Sequence, residues 1–129
     1  MLAIDTNVIV RYLTGDHPTQ SPRAKAVIDQ QDVFVCTTVV LETECVLRSA
    51  YGFAPARIAA TLRGFAGLPH VTLEDPTLTA RALDQAEKRM DLADALHLTK
   101  ASGCDALISF GRRFARAAHD LGGIPVRAP

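Results

Sequence analysis

Apolar runs of strand length alternate along this chain with stretches in which apolar residues recur every three or four positions. Met1–Ile4 reads as a first strand and Val8–Leu13 as a short helix, followed by a turn at Gly15-Asp16-His17-Pro18. Ser21-Pro22 sets an N-cap before a proline at the first helical position and predicts a helix to about Gln30. Val33–Cys36 is β-branched and aromatic, a short buried strand, after which Thr37 or Thr38 caps a helix to about Ala50. Pro55 starts another helix, closed by Gly67-Leu68-Pro69. Val71–Leu73 is a strand, and Pro76 to about Arg89 a helix. Asp91 opens a helix that stops at Gly103, Ala106–Phe110 is a strand, Arg112–Leu121 a helix and Ile124–Val126 a last strand. Strands separated by crossover helices predict an α/β fold with a mainly parallel sheet covered on both faces.

The 129 residues suit one domain, and no linker, repeat or low-complexity tract divides them. Lys+Arg and Asp+Glu are both 14, so any hold on nucleic acid must come from a local basic patch. Cys36, Cys45 and Cys104 are odd in number and widely spaced, which argues against a zinc site or a disulfide framework and for a reducing cytoplasm. Neither a signal peptide nor a membrane span is expected.

Three acids interrupt apolar patterns. Asp5 ends the first strand, where α/β proteins bind ligands, although Asp5-Thr6-Asn7 also suits a plain helix cap. Glu42 has Val39, Cys45 and Val46 as helical neighbours, which places it on the core side, whereas Glu44 with Arg48 four residues on reads as a surface pair. Asp94 shares a face with Leu98 and Ala101, while Asp91 three residues earlier fits an N-cap. His97 lacks a second histidine at ligand spacing and is not read as a metal ligand. Three inward acids from three elements, expected to converge, make an oxygen-only site suited to Mg²⁺ or Mn²⁺ and to phosphate chemistry. Arg11, Lys100, Arg112, Arg113 and Arg116 flank the acids and either grip an RNA backbone or line solvated helix faces. With only Tyr12, Tyr51 and five Phe, base stacking on an exposed platform is not expected to dominate recognition. A phosphatase with a strand-end Asp nucleophile would want a second acid where Asn7 stands.

Ile4-Asp5-Thr6-Asn7-Val8, Val40-Leu41-Glu42, Asp94-Ala95-Leu96-His97-Leu98 and Leu107-Ile108-Ser109-Phe110-Gly111-Arg112-Arg113-Phe114, in that order, resemble the PIN-domain ribonucleases, most closely the VapC-type toxins. The resemblance covers essentially the whole chain and implies a single PIN-like domain over residues 1–129, with a three-layer α/β/α fold. It implies a Mg²⁺- or Mn²⁺-dependent endoribonuclease, usually a homodimer, held inactive by a cognate antitoxin. Asp5, Glu42 and Asp94 fall on the first three acidic positions and are the expected catalytic metal ligands, with Asp91 on a frequently acidic neighbour. Thr6, Asn7 and Ser109 are expected to support the site, and Arg11, Arg112 and Arg113 to contact RNA. The chain departs from the family at the last motif, where Ser109-Phe110-Gly111 replaces Thr-x-Asp. Losing that carboxylate weakens a second cation more than a first. A PIN module that binds RNA or an antitoxin without efficient cleavage is the alternative.

Overall fold

A computed structural model describes all residues from Met1 to Pro129. Five short strands alternate with seven helices: β1 (Leu2–Ala3), α1 (Thr6–Thr14), α2 (Gln20–Gln30), β2 (Val33–Val35), α3 (Thr37–Ser49), α4 (Pro55–Ala66), β3 (Val71–Leu73), α5 (Pro76–Glu87), α6 (Leu92–Lys100), β4 (Leu107–Ile108), α7 (Arg112–His119) and β5 (Val126–Arg127). Every strand pairing is parallel, as crossover helices require. The α/β class expected from the periodicity is therefore the one that forms. The chain folds as two compact units, Met1–Pro76 and Thr77–Pro129.

In the first unit the sheet order is β1-β2-β3, with Val33 opposite both Leu2 and Val71. The central strand is the best covered: Val33 and Val35 are fully buried, while Leu2 on the edge is exposed. Helix α1 packs on α2 and α3, α3 on α4, and α4 on β3. Ile9, Ile28, Leu47, Ile58, Leu62 and Phe65 supply most of the core, each worth roughly 1.5–3 kcal/mol of burial. In the second unit Leu83, Leu92, Leu96, Leu98 and Phe114 form the core, β4 pairs with β5, and α7 packs on β5.

Two helix caps differ from the sequence expectation. Helix α2 begins one residue before Ser21, and its cap is the His17 ring: Nδ1 accepts from the backbone N–H groups of Thr19 and Gln20. Ser21 is buried and its hydroxyl accepts from the His17 N–H instead. On α3 neither Thr37 nor Thr38 caps; Cys36 occupies the cap position without a side-chain bond. The Glu74 carboxylate, arriving from the end of β3, accepts from the Thr37 N–H at 2.8 Å. In both cases a group from outside the helix meets the orphan donors that every helix start exposes.

Candidate active site

Asp5 stands where β1 gives way to α1. The Ile4 N–H still bonds to Phe34, so the ladder runs to the residue before it. Asp5 then leaves the strand in extended geometry, and its Oδ1 accepts from the Thr6 N–H at 2.7 Å. It is thus the cap of α1 and an exposed carboxylate at the carboxyl end of a parallel strand, with Oδ2 uncommitted within the protein. The neighbouring Thr6 is 3% exposed and its hydroxyl has no hydrogen-bond partner; Asn7 is exposed. A buried hydroxyl left unpaired carries a desolvation cost of about 1–3 kcal/mol.

The reading of Glu42 as a core-facing acid is overturned. Glu42 is exposed, and the acid on the core side of α3 is Glu44, at 7% exposure. Val40, Thr43, Glu44 and Leu47 form the buried stripe, and Glu42 lies on the opposite side of the helix. Apolar pairs at Val39-Val40 and Val46-Leu47 leave two faces open to the same periodicity, and packing chose the second residue of each pair. Glu44 tolerates burial because Arg48 binds it, Nε to Oε1 at 2.8 Å.

In the second unit Asp91 caps α6, its Oδ1 accepting from the Asp94 N–H at 3.1 Å, as expected for that pair. Asp94 is half-buried in the first turn. Burial, and then the negative charge of Asp91, push its carboxyl above the ordinary aspartate value, with His97 opposing. At the carboxyl end of β4 the Ser109 hydroxyl accepts from the Gly111 N–H at 3.0 Å, leaving its own O–H to donate elsewhere. Gly111 caps α7 with ordinary dihedrals, φ −72° and ψ 102°, and no side chain to complete the cap. Asp105 precedes β4 and so stands at the end of that strand away from Ser109; Asp91 is the acid that Asp94 feels.

Among the expected RNA contacts, Arg11 is committed. Its Nε donates to Gln20 and its Nη1 to Asp16. Asp16 also accepts from Thr14 and Tyr51, and these bonds, that of Tyr51 first, hold its carboxyl down at about 2. Arg112 and Arg113 are exposed and make no ion pair. The residue that sequence reasoning passed over is Phe110, 85% exposed between Ser109 and Gly111. Its apolar character had counted as the end of a strand.

No three or more His, Cys, Asp or Glu side chains gather into a metal-holding group. The donor types in each unit nonetheless suit a hard divalent cation: in the first the carboxylates of Asp5 and Glu42 and the unpartnered hydroxyl of Thr6 beside Asp5, in the second the carboxylates of Asp91 and Asp94. The sequence matches the PIN domain over residues 2–120, across both units, and the chain belongs to that family. Its helices and parallel strands are consistent with the family's three-layer α/β/α fold. PIN domains are nucleases, usually metal-dependent, that act on RNA. No curated protein matches the sequence closely. No helix is long and apolar enough to cross a membrane.

Proposed function

We infer that this protein is a divalent-metal-dependent endoribonuclease, and the toxin of a type II toxin–antitoxin pair. One observation carries the reading beyond family membership. Asp5, Glu42, Asp91 and Asp94 form no ion pair, whereas Asp16, Asp29 and Glu44 each hold a cationic partner. Half-burying Asp94 beside Asp91, with only His97 opposing, costs stability, and a cation bound there offsets that cost. Asp5, Glu42 and Asp94, with Asp91 three residues before Asp94, are the proposed acidic ligands for Mg²⁺ or Mn²⁺. When bound, such an ion supplies Lewis acidity and neutralises charge on phosphoryl oxygens. The chain's own groups hold the reacting phosphate in place: the Ser109 O–H is free to donate to a phosphate oxygen, and Arg112 and Arg113 are free to pair with the flanking backbone. Thr6 and Asn7 support Asp5. Arg11 contributes only through whatever its bonds to Asp16 and Gln20 leave. A cytoplasmic homodimer, inhibited by a cognate antitoxin protein, completes the proposal.

Cleavage of single-stranded RNA with Mg²⁺ or Mn²⁺, with EDTA, and by the Asp5→Asn variant tests it. Asparagine keeps the cap on α1, because its side-chain oxygen accepts the same N–H, but removes a charged ligand. Activity should fall at least about 100-fold while thermal stability holds; losing even an outer-shell partner of a metal ligand costs about 10–100-fold. Undiminished cleavage by Asp5→Asn, or cleavage indifferent to EDTA, refutes the mechanism. Gly111 favours a second reading, a PIN module that binds RNA or an antitoxin without efficient cleavage, because the position opening α7 lacks the family's acid.

A further inference from the structure

The end of β4 carries an exposed ring that the proposed site does not use. In the β4–β5 ladder Leu107 pairs with Val126, which is buried, and Ile108 pairs with Arg127, both exposed. Two residues beyond Ile108 stands Phe110 at 85% exposure, the most exposed large apolar side chain of the protein. Leaving a phenylalanine ring in water forgoes a burial worth roughly 1.5–3 kcal/mol, which a stacked ligand would recover. The surroundings specify the kind. From Ala106 to His119 the chain carries Arg112, Arg113 and Arg116 and no Asp or Glu. Arg112, Arg113 and Arg127 are all exposed and outside any ion pair. In a chain of zero net charge, three exposed cations outside ion pairs thus flank the ring along the chain (Arg112, Arg113) and across the ladder from Ile108 (Arg127).

We propose that Phe110 stacks on an unpaired base of the RNA substrate while Arg112, Arg113 and Arg127 hold the adjacent phosphates. A single strand offers alternating π-faces and phosphates, and a ring set among guanidinium groups matches that alternation. A duplex hides its base faces, so the substrate must be single-stranded beside the scissile bond. One well-placed ring suffices, although the chain as a whole is poor in aromatics. The inference rests on the ribonuclease reading, and it makes Phe110 a positioning residue rather than a catalytic one.

The test is fluorescence anisotropy with a labelled single-stranded RNA in EDTA, where no cleavage interferes. Phe110→Ala should weaken binding about tenfold, within the range of one base–aromatic stack, and Phe110→Trp should bind within about twofold of the wild type. The slope of log affinity against log salt should not change in Phe110→Ala. It should shrink by about 0.7 in each of Arg112→Ala, Arg113→Ala and Arg127→Ala, since each frees one phosphate to keep its counterion. With an oligonucleotide of abasic sites the difference between Phe110→Ala and the wild type should vanish. Wild-type affinity in Phe110→Ala, tighter binding of duplex than of single strand, or no RNA binding by the wild type overturns the proposal. So does a Phe110→Ala variant that loses self-association in sedimentation yet keeps its RNA affinity, since the ring would then face a second copy. A wild type that binds in this pattern but never cleaves sinks the ribonuclease reading and leaves the stacking role standing.

Discussion

Replacing Gly111 with aspartate restores the acid that this chain lacks, and the structure bounds the outcome. Gly111 has φ −72° and ψ 102°, a conformation open to any residue, so no strain attaches to losing glycine. A Cβ there would meet the Ser109 Oγ at 3.3 Å and the Phe114 Cβ at 3.4 Å. The first is close, but a hydroxyl on a short side chain can shift by a few tenths of an ångström. Against that, aspartate at the cap of α7 can accept from the next turn, a gain of a few tenths of a kcal/mol over glycine. Its charge at a helix start adds about 0.3–1 kcal/mol. The net change should be a stabilisation below about 1 kcal/mol, which for a chain of this length raises Tm by no more than about 4 °C. Two controls separate the causes: Gly111→Ala reports the Cβ contact alone, and Gly111→Asn the cap without the charge. Calorimetric titration with Mn²⁺ should then show at least about tenfold tighter binding for Gly111→Asp than for Gly111→Asn, chiefly at a second ion, with faster RNA cleavage. A folded Gly111→Asp protein with unchanged Mn²⁺ affinity and unchanged cleavage would show that position 111 is not the missing ligand. A Gly111→Ala protein that loses more than about 1 kcal/mol would show that the contact with Ser109 cannot relax.

The two acids of α3 should part company in denaturant melts. Arg48→Met strands the Glu44 carboxylate in its buried place and should cost about 1–3 kcal/mol, whereas Glu42→Gln, on the exposed side, should stay within about 0.5 kcal/mol and lose cleavage instead. The Asp16 network predicts an acid limb. The folded carboxyl is held at about 2, below its ordinary 3.8, so the unfolded chain binds the proton first. The stabilisation is therefore present above about pH 4 and lost between about pH 4 and pH 2. Melting temperatures of wild type and Tyr51→Phe should converge across that window, and curves that stay parallel down to pH 2 would discount the network.

Chain pattern by itself determined the class of this protein. Parallel strands need crossover helices, and that alternation is written in apolar runs, in the helix-opening Pro55 and in the helix-closing Gly15 and Gly67, all local signals. The short motifs at Asp5, Glu42, Asp94 and Ser109 pointed to the PIN family in the same way, because family likeness needs only order and identity. What lay beyond the sequence was every choice that depends on a neighbour distant along the chain. Two apolar faces of α3 compete on equal periodicity, and only packing decides that Glu44 goes in and Glu42 stays out. The cap of α3 comes from Glu74, 37 residues away from Thr37, and no local rule anticipates a donor met by another strand's end. Arg11 read as free to bind RNA until the fold turned Asp16 and Gln20 toward it. Phe110 read as strand until β4 closed at Ile108 and left its ring in water. Periodicity records which residues prefer to be buried; which of them succeed depends on how much surface the neighbouring elements can cover.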